Sequence, residues 1–337
     1  MNNDIDFVIL WVDSSDEEWQ KDYLFYKSQE NKNNKHATSL TRFRDWDNLQ
    51  YWFRSIEKNC PWVRKIHFVT CGHYPKWLNK LHPKLNLVKH SDFIDKKFLP
   101  TFNSHTIELN IHRIKGLSKK FVYFNDDFFI NNKLSESFFF KHDLPCDYFI
   151  MESLRGKTLD DFFGCVVYRD MCFINRHYEK KKVLNESFKK IYNKRYGKFI
   201  LLNIINIVHT NFSYFRTPHL PQAFLKESFI DVWEKEKDFL ESTSFNKFRK
   251  PDDVNQYIVK YTQLVTGNFS PCSPFNRGRY YSVNSSNILK IKNDIEEGLS
   301  PMICLNDGND IDVIQHKNDI NESFSKRYPY KSSFELV

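Results

Sequence analysis

The sequence predicts an α/β fold in which a Rossmann-like, largely parallel sheet is flanked by helices and followed by a more helical C-terminal half. Within residues 1–150, short apolar runs typical of buried strands alternate with segments of helical periodicity. Residues 175–270 are mainly helical in pattern, and no Gly/Ser/Pro-rich stretch divides the 337 residues. We therefore expect a single domain over 1–337, with an α/β core at 1–150 and a return to that core at 271–337.

The apolar runs and the residues that interrupt them predict the individual elements. Four runs predict strands, at residues 5–12, 65–71, 85–89 and 121–124. Apolar stripes predict helices at residues 47–60 and 106–117, and a further helix after the polar turn at 14–16. This alternation is typical of parallel strands joined by helical crossovers, whose carboxyl ends meet at one edge of the sheet.

The second half is predicted to contain helices at residues 178–198, 220–240 and 252–266, before a late strand at 301–305. Residues 178–198 combine apolar residues with many lysines, which predicts an amphipathic helix or a helix pair. Two interpretations stay open for it. It is either a core-packed helix with a solvated basic face or a helix that lies on a membrane surface.

Composition and charge exclude several classes of protein. A hydrophobic content of 41%, with 17% aromatic residues, is too rich for a disordered chain. The net charge of +8 comes largely from dispersed lysines, without an RNP signature or zinc finger. We therefore expect an anionic substrate or a membrane surface as partner, and no nucleic acid. The longest apolar stretch, 199–208, is too short to cross a membrane.

Cysteine usage and the first residues indicate the compartment. The seven cysteines are scattered and never have the C-x-x-C spacing of a zinc site or redox pair. Residues 1–20 show no secretory signal. We therefore expect a protein of the reducing cytoplasm, soluble or peripheral at the inner face of the membrane.

Acidic residues follow the predicted strand 121–124. Asp126 and Asp127 are adjacent there, and Asp13 and residues 71–73 would emerge at the same edge from two other strands. Because Mg²⁺ takes carboxylate oxygens together with substrate phosphates, the pair suits a metal-bound pyrophosphate. Both acids reach one ion only if the backbone turns there, and a turn capped by its own acids is the alternative.

A carboxylate and an imidazole are four residues apart in the predicted helix 106–117. Glu108 and His112 would share one helical face, where the carboxylate can orient the imidazole as a general base. An ordinary surface ion pair is the alternative. Arg113 adjoins them and would either meet a phosphate or be solvated.

Two arginines precede the predicted helix 47–60. Arg42 and Arg44 can grip phosphate oxygens through bidentate hydrogen bonds, and Asp45 can cap the helix that follows. His219 lies in a proline-rich loop just before the predicted helix 220–240. A single histidine in a loop has no specific interpretation by itself.

Four stretches of the chain, in order, resemble the Stealth family. DIDFVILWVD (4–13) is similar to its first conserved region. RFRDWDNLQYWFRSIEKNCPWVRKIHFVTCGHYPKWLN (42–79), with LPTFNSHTIELNIHRIKGLSKKFVYFNDDFF (99–129), is similar to the second almost without gaps. RTPHLPQAF (216–224) resembles the third region, and ICLND (303–307) resembles the fourth. The resemblance therefore covers most of the chain.

This family contains bacterial hexose-1-phosphate transferases of capsules and exopolysaccharides, together with the animal enzyme subunit that tags lysosomal glycoproteins with GlcNAc-1-phosphate. Without secretory features, the chain resembles the bacterial branch. Ser14-Ser15-Asp16 departs from the Asn or Asp followed by Gly of many relatives, so we expect a nucleotide loop that differs in detail. Matched residue by residue, the resemblance implies an active site with Asp13, Arg42, His112, Asp126, Asp127, His219, Asn306 and Asp307.

The reaction that the resemblance implies is transfer of a sugar 1-phosphate with release of UMP. We expect a UDP-hexose donor in the 1–150 core, with Mg²⁺ or Mn²⁺ on its pyrophosphate. The expected acceptor is a hydroxyl of a polysaccharide or a lipid-linked oligosaccharide, on the side of residues 175–270. A peripheral contact with the membrane would bring the enzyme to such an acceptor.

Each candidate residue has an expected role in this reaction. The expected metal ligands are Asp126, Asp127 and Asp307. The expected catalytic residues are Asp13, Arg113, His112 as first choice of general base, and His219 as the reserve. Contacts to substrate are expected from Arg42, Arg44, Asp45, Glu108, Asn125 and Asn306.

Two other functions stay open from the sequence. A conventional glycosyltransferase uses similar acids and a divalent metal, but it transfers only the sugar and releases UDP. A noncatalytic carbohydrate-binding or scaffold protein would use the aromatic-rich surface. The scaffold leaves the acidic residues at the strand ends unexplained.

Overall fold

A computed structural model describes residues 4–30, 38–156, 161–308 and 312–336, except for the side chains of Leu40 and Thr41. Its strands are β1 (Ile5–Leu10), β2 (Ile66–Thr70), β3 (Leu85–Lys89), β4 (Lys120–Phe124), β5 (Phe128–Ile130), β6 (Phe140–Lys141), β7 (Leu144–Asp147), β8 (Met151–Glu152), β9 (Tyr214–Phe215), β10 (Gln222–Leu225), β11 (Ser270–Pro271), β12 (Arg279–Val283) and β13 (Met302–Asp307). Its helices are α1 (Glu17–Gln29), α2 (Leu49–Asn59), α3 (Ser104–Asn110), α4 (Glu136–Phe139), α5 (Phe162–His177), α6 (Lys180–Glu186), α7 (Phe188–Ile191), α8 (Ile200–Ile205), α9 (Lys226–Lys235), α10 (Lys237–Phe245), α11 (Tyr257–Val265), α12 (Ile288–Glu297) and α13 (Val313–Arg327).

Five strands form the central sheet, in the order β10-β4-β1-β2-β3. The strands β4, β1, β2 and β3 are parallel, and β10 pairs antiparallel with β4. The chain adds β2 and β3 on one side of β1 and then crosses back to place β4 on the other side. The carboxyl ends of β1 and β4 therefore flank a topological switch point, where open α/β sheets bind their ligands. The predicted α/β fold with a largely parallel sheet is confirmed.

Each face of the central sheet has its own hydrophobic core, because successive side chains of a strand point to opposite faces. Phe7 and Ile9 of β1 join a core that α2, α12 and α13 cover. Val8 joins a second core that α5, α9 and α11 cover. Since both faces are buried, β1 reads as a nearly continuous apolar run rather than an alternating one.

A smaller sheet joins the far end of the chain to the end of β4. β5 begins directly after β4 and pairs antiparallel with β13, which pairs parallel with β12. The register places Cys304 opposite Phe128, and the backbone N–H of Leu305 donates to the carbonyl of Asp127 at 2.9 Å. The end of β13 therefore lies beside the turn that follows β4.

One buried carboxylate ties together the amino ends of the sheet strands. Asp6 in β1 accepts hydrogen bonds from Arg64 Nε at 2.8 Å, His67 Nε2 at 2.9 Å and the Ser118 backbone N–H at 2.8 Å. Burial by itself raises the pKa of Asp6, but the hydrogen bonds from His67, Arg64 and Ser118 together hold it below its ordinary value. The charge of Asp6 is thus fully compensated by segments that precede or belong to β2 and β4.

Three predicted helices differ from the structure. The predicted helix 106–117 is too long, because α3 ends at Asn110 and a 3₁₀ turn, Ile111–Arg113, follows it. The predicted helix 220–240 begins as a strand, because residues 222–225 pair with β4 on the side away from β1 before α9 starts. In both places the apolar residues have helical spacing, but the backbone is a 3₁₀ turn in the first and a strand in the second.

The basic segment 178–198, predicted as one helix or a helix pair, is divided into several short pieces. α6 and α7 are followed by a 3₁₀ segment, Lys194–Phe199, that contains Gly197 at a φ of 54°. A positive φ favours glycine and cannot continue a right-handed helix. Within the described ranges, we find no helix long and apolar enough to cross a membrane.

Candidate active site

The chain turns immediately after β4. The backbone N–H of Phe128 donates to the carbonyl of Asn125 at 3.2 Å, so Asn125, Asp126 and Asp127 form the turn between β4 and β5. A backbone turn is the condition under which both neighbouring acids can face one ligand. The structure therefore presents Asp126 and Asp127 together at the carboxyl edge of the sheet.

Asp127 lies at the meeting point of three segments. Its Oδ2 is 3.3 Å from the Cys304 thiol, which donates to it, and 3.9 Å from Nε2 of His219. One ligand atom from each of these three side chains lies within 4.8 Å of the others, a spacing that can hold a metal ion. Asp127 Oδ1 is buried and has no hydrogen-bond partner among the described residues. A buried carboxylate oxygen without a partner is costly, so the position of this oxygen fits contact with a bound ligand.

Asp307 is held in place at the end of β13. Arg44 Nη1 donates to Asp307 Oδ2 at 2.8 Å, and Trp46 Nε1 donates to Oδ1 at 2.7 Å. The neighbouring Asn306 donates from Nδ2 to the Tyr280 hydroxyl at 2.9 Å. Arg44 therefore positions a carboxylate of the protein, whereas we expected it to contact the substrate.

Five carboxylates converge at this edge, and we call them the acidic cluster: Asp13, Asp45, Asp126, Asp127 and Asp307. Burial in the surrounding protein, followed by repulsion from Asp127 and Asp45, raises the pKa of Asp126 to about 8. Burial raises the pKa of Asp307 more than Arg44 and Trp46 lower it. The negative charge of the acidic cluster is therefore only partly compensated by the protein itself.

The loop after β1 brings Asp13 to the acidic cluster. Its backbone N–H donates to Nε2 of His73 at 2.7 Å, which joins the ends of β1 and β2. Its Oδ1 accepts from the backbone N–H and hydroxyl of Ser15, at 2.8 and 2.6 Å. Asp16 then caps α1 by accepting from the Trp19 N–H at 2.8 Å. The predicted polar turn and helix are therefore present beside the switch point.

A chain of hydrogen bonds leads from the acidic edge to Arg249. The Tyr123 hydroxyl donates to Asn125 and, at 3.2 Å, contacts Oε1 of Glu108. The Ser104 hydroxyl donates to the same oxygen at 2.9 Å, and Arg249 donates to Ser104. Glu108 thus connects the end of β4 to an arginine that sequence reasoning missed. The only signal for Arg249 was a basic run in the loop before the predicted helix 252–266.

Arg42 and Arg249 lie near each other beside this chain. The pKa of Arg42 is lowered to about 10, by burial first and by repulsion from Arg249 next. The Arg42 guanidinium also lies 5.9 Å from the centroid of the Phe162 ring. An anion shared by two guanidinium groups would relieve their repulsion.

His112 and Arg113 do not reach the acidic cluster. His112 packs against Phe229 and Trp233, with ring centroids 5.6 and 6.1 Å apart, and Arg113 lies over the Trp233 ring at 4.1 Å. Phe229 packs in turn on Phe121, near the amino end of β4. That end is about 15 Å from the turn after β4, at roughly 3.3 Å per residue. Burial, and then the charge of Arg113, lowers the pKa of His112 to about 3.

Two predicted local roles are wrong. Among the described contacts Glu108 and His112 do not form a pair, since Glu108 accepts from Ser104 and Tyr123 and the His112 Nδ1 has no partner. The helix ends between them, so they do not share one face. Asp45 does not cap α2, which begins at Leu49; it accepts from the Asp47 N–H at 2.7 Å instead.

A largely parallel α/β sheet that brings carboxylates, Arg44 and His219 to its switch point is an arrangement suited to phosphoryl-transfer chemistry. Residues 3–30 match the Stealth proteins in conserved region 1, and residues 42–146 match them in conserved region 2. The chain belongs to the Stealth family. These matches confirm the resemblance of residues 4–13 and of the second stretch, whereas the correspondence of 216–224 and 303–307 to particular regions stays a prediction.

Three relatives are similar over nearly their whole length. The chain is 41% identical to the capsular polysaccharide phosphotransferase WcwK of Streptococcus pneumoniae, over 98% of each chain. It is 37% identical to the exopolysaccharide phosphotransferase cps2G of Lactiplantibacillus plantarum, over 98% of this chain and 96% of the other. It is 35% identical to the receptor polysaccharide phosphotransferase WefC of Streptococcus gordonii, over 98% and 99%. The predicted sugar-phosphate transferase is confirmed.

Proposed function

We propose that the protein transfers hexose 1-phosphate from a UDP-hexose to a hydroxyl of a capsular or exopolysaccharide chain and releases UMP. The observation that carries the proposal is the acidic cluster beside His219 at the switch point of the sheet. The names of the relatives, which are phosphotransferases of capsular, exopolysaccharide and receptor polysaccharides, support the class of acceptor.

The donor would lie across the carboxyl ends of β1 and β4. Its diphosphate fits between Arg42 and Arg249, because an anion there removes the repulsion that lowers the pKa of Arg42. The loop from Asp13 to Asp16 adjoins this position at the start of α1. Negative charge that develops on the phosphoryl oxygens would be offset by the same two guanidinium groups.

The acidic cluster fits a divalent cation, for which we propose Mg²⁺ or Mn²⁺. Asp127 has a buried oxygen without a hydrogen-bond partner in the described part of the chain, and the pKa of Asp126 is raised by burial first and by Asp127 next. We propose both acids as ligands of the cation. We also propose Asp307 as a ligand, which a hydrogen bond from Arg44 keeps in position. When bound, the cation supplies positive charge to the pyrophosphate. Since such ions prefer oxygen ligands, His219 stays available for proton transfer.

His219 is the residue that we propose as general base, in place of His112. Its side chain is 37% exposed, and its ring stands edge-on to Phe128 with centroids 4.8 Å apart. The acceptor oxygen would form a bond to the phosphorus nearer the sugar while its proton passes to His219. The bond from that phosphorus to the bridging oxygen of UMP breaks, and UMP leaves with the electron pair.

The proposed acceptor is either a soluble polysaccharide or an oligosaccharide carried on a lipid. We propose that the enzyme acts in the bacterial cytoplasm, at the inner face of the membrane. All seven cysteines are free thiols, which agrees with a reducing compartment.

The test is to incubate the purified protein with Mg²⁺, a panel of UDP-hexoses and a polysaccharide acceptor, and to separate UMP from UDP by chromatography. Acceptor-dependent UMP, with a new phosphodiester in the acceptor, is the expected result. UDP in place of UMP would establish a glycosyltransferase instead. Sugar binding without any nucleotide product from the whole panel would favour a noncatalytic scaffold.

A further inference from the structure

The segment 200–208 has the opposite polarity to an ordinary surface helix. It comprises α8 and the 3₁₀ turn Asn206–Val208, and five of its seven apolar side chains are exposed, whereas Ile200 and Leu202 pack against the core. We call five of them the exposed apolar face: Leu201, Ile204, Ile205, Ile207 and Val208. Spacings of three and four residues place four of these five side chains on one side of the helix. Ile205 is 63% exposed and Val208 is 80% exposed.

Polar side chains fix the other side of this segment to the protein interior. Buried Asn203 donates to the carbonyl of Phe149 at 2.7 Å and accepts from the N–H of Met151 at 2.7 Å. Buried Asn206 donates to the carbonyl of Met151 at 3.2 Å. The Lys180 ammonium donates to the carbonyl of Asn206 at 2.6 Å. The outward direction of the apolar side chains is therefore built into the fold.

Positive charge is concentrated in the stretch of chain that directly precedes the exposed apolar face. Residues 178–198 contain seven lysines and one arginine against two glutamates, and residues 199–208 contain no acid. Six of these cations are exposed, and we call them the basic rim: Lys181, Lys182, Lys189, Lys194, Arg195 and Lys198. Lys198 precedes Leu201 by three residues. Lys181 is next in sequence to Lys180, whose ammonium group bonds the carbonyl of Asn206 in the segment 200–208. Apolar surface and positive charge therefore lie together.

We propose that the exposed apolar face and the basic rim dock on an anionic lipid bilayer. Apolar side chains would enter the boundary between headgroups and acyl chains, while the rim meets negatively charged headgroups. A second copy of the chain fits less well, because two basic rims of the same sign would be brought together. The apolar part of the docking surface thus lies at 200–208, outside the basic stretch 178–198 for which membrane docking was one of two predicted alternatives.

Docking at this surface would place the active site near the membrane. The Arg216 guanidinium lies 4.5 Å from the centroid of the Phe199 ring, directly before α8. Arg216 is three residues before His219. The segment that meets the bilayer is thus joined by a direct contact to the loop that carries the proposed base. Docking extends the proposed function to a lipid-linked acceptor, but vesicle binding requires no turnover.

The experiment is co-sedimentation of the full chain with vesicles of phosphatidylcholine alone and of phosphatidylcholine mixed with phosphatidylglycerol. We expect binding to the anionic vesicles only. Ile205→Glu with Val208→Glu should weaken that binding by about tenfold or more, because two apolar side chains lose their burial. Lys194→Ala and Lys198→Ala should each weaken it by roughly fivefold.

The matched control is Leu289→Glu with Ile314→Glu, which changes two side chains that are 78% and 76% exposed on α12 and α13. We expect this control to bind anionic vesicles like the unchanged chain. Equal binding to both vesicle types, or full binding by the Ile205→Glu, Val208→Glu variant, overturns the proposal. The proposal is also overturned if light scattering shows that the unchanged chain is a dimer and that the Ile205→Glu, Val208→Glu variant is a monomer. That result would assign the exposed apolar face to contact with a second copy. Nucleotide release with a water-soluble acceptor should be unchanged in this variant, which separates docking from catalysis.

Discussion

Asp6 and Asp127 lie at opposite ends of the central sheet and have opposite surroundings. Asp6, at the amino end, accepts three hydrogen bonds from Arg64, His67 and Ser118, and its pKa is held below its ordinary value against the effect of burial. Asp127, beyond the carboxyl end of β4, has one buried oxygen without a hydrogen-bond partner among the described residues. Its neighbour Asp126 has a pKa raised by burial first and by Asp127 next.

This difference indicates that the amino end of the sheet contributes to stability and that the carboxyl end carries the chemistry. A charge that is paired at every oxygen holds strands together and gains nothing from a ligand. A group of like charges without full compensation destabilises the protein alone but binds a cation or a positively charged group strongly. Substitutions at the two ends should therefore affect different measurements.

The largest expected effect is on turnover, from Asp127→Asn. We expect UMP release to fall by about 10³-fold, because the substitution removes a charge of the proposed cation site. The melting temperature should stay the same or rise, because repulsion within the acidic cluster decreases. Asp22→Asn, at an exposed position of α1, is the control. Turnover within threefold of the unchanged enzyme would remove Asp127 from the site.

At the other end of the sheet, Asp6→Ala should act on stability. Breaking a buried ion pair leaves its partners without compensation and costs about 3 kcal/mol. We expect the free energy of unfolding in urea to fall by this amount. Turnover of the fraction that remains folded should be unchanged. A stable variant with lost turnover would reverse the assignment of the two ends.

Much of the fold could be predicted because the sheet strands are short, buried and apolar. β2 and β3 lie within the predicted runs, and β4 begins one residue before its predicted run. The end of β4 at Phe124 was recognisable from the polar residues that follow. The strand β10 could not be recognised, since its pairing with β4 is a contact between distant parts of the chain. Local spacing in residues 220–240 is equally compatible with a helix.

Site residues that directly follow predicted strands could be predicted from the sequence. Residues whose position depends on packing between distant segments could not. Asp13, Asp126 and Asp127 follow strands that the sequence shows, so their convergence could be expected. The placement of His112 could not, because the direction of its side chain depends on where α3 ends and on Trp233 from another helix. Arg249 reaches the site through Ser104, a contact across 145 positions of sequence.

Comparing the two histidines sharpens the contrast between the ends of the sheet. His219→Ala should lower turnover by roughly 10²-fold with donor binding retained, because the proposed base is lost. His112→Phe should keep turnover within a few fold, since a phenyl ring can retain the stacking on Phe229. Steady-state rates and donor affinity measured on both variants decide the assignment. The opposite order of effects would return the role of base to His112.

The smallest expected effect is a dependence on pH of the stability that Asp6 provides. Since the folded pKa of Asp6 is below the unfolded value of about 3.9, its contribution is complete above that value. It is lost as the pH falls through the lower, folded pKa. Asn resembles the protonated carboxyl, so the difference in unfolding free energy between the unchanged chain and Asp6→Asn should shrink toward zero below pH of about 4. Urea unfolding across a pH series measures this difference. If the difference stays constant down to the lowest pH at which both proteins fold, the negative charge of Asp6 does not stabilise the fold.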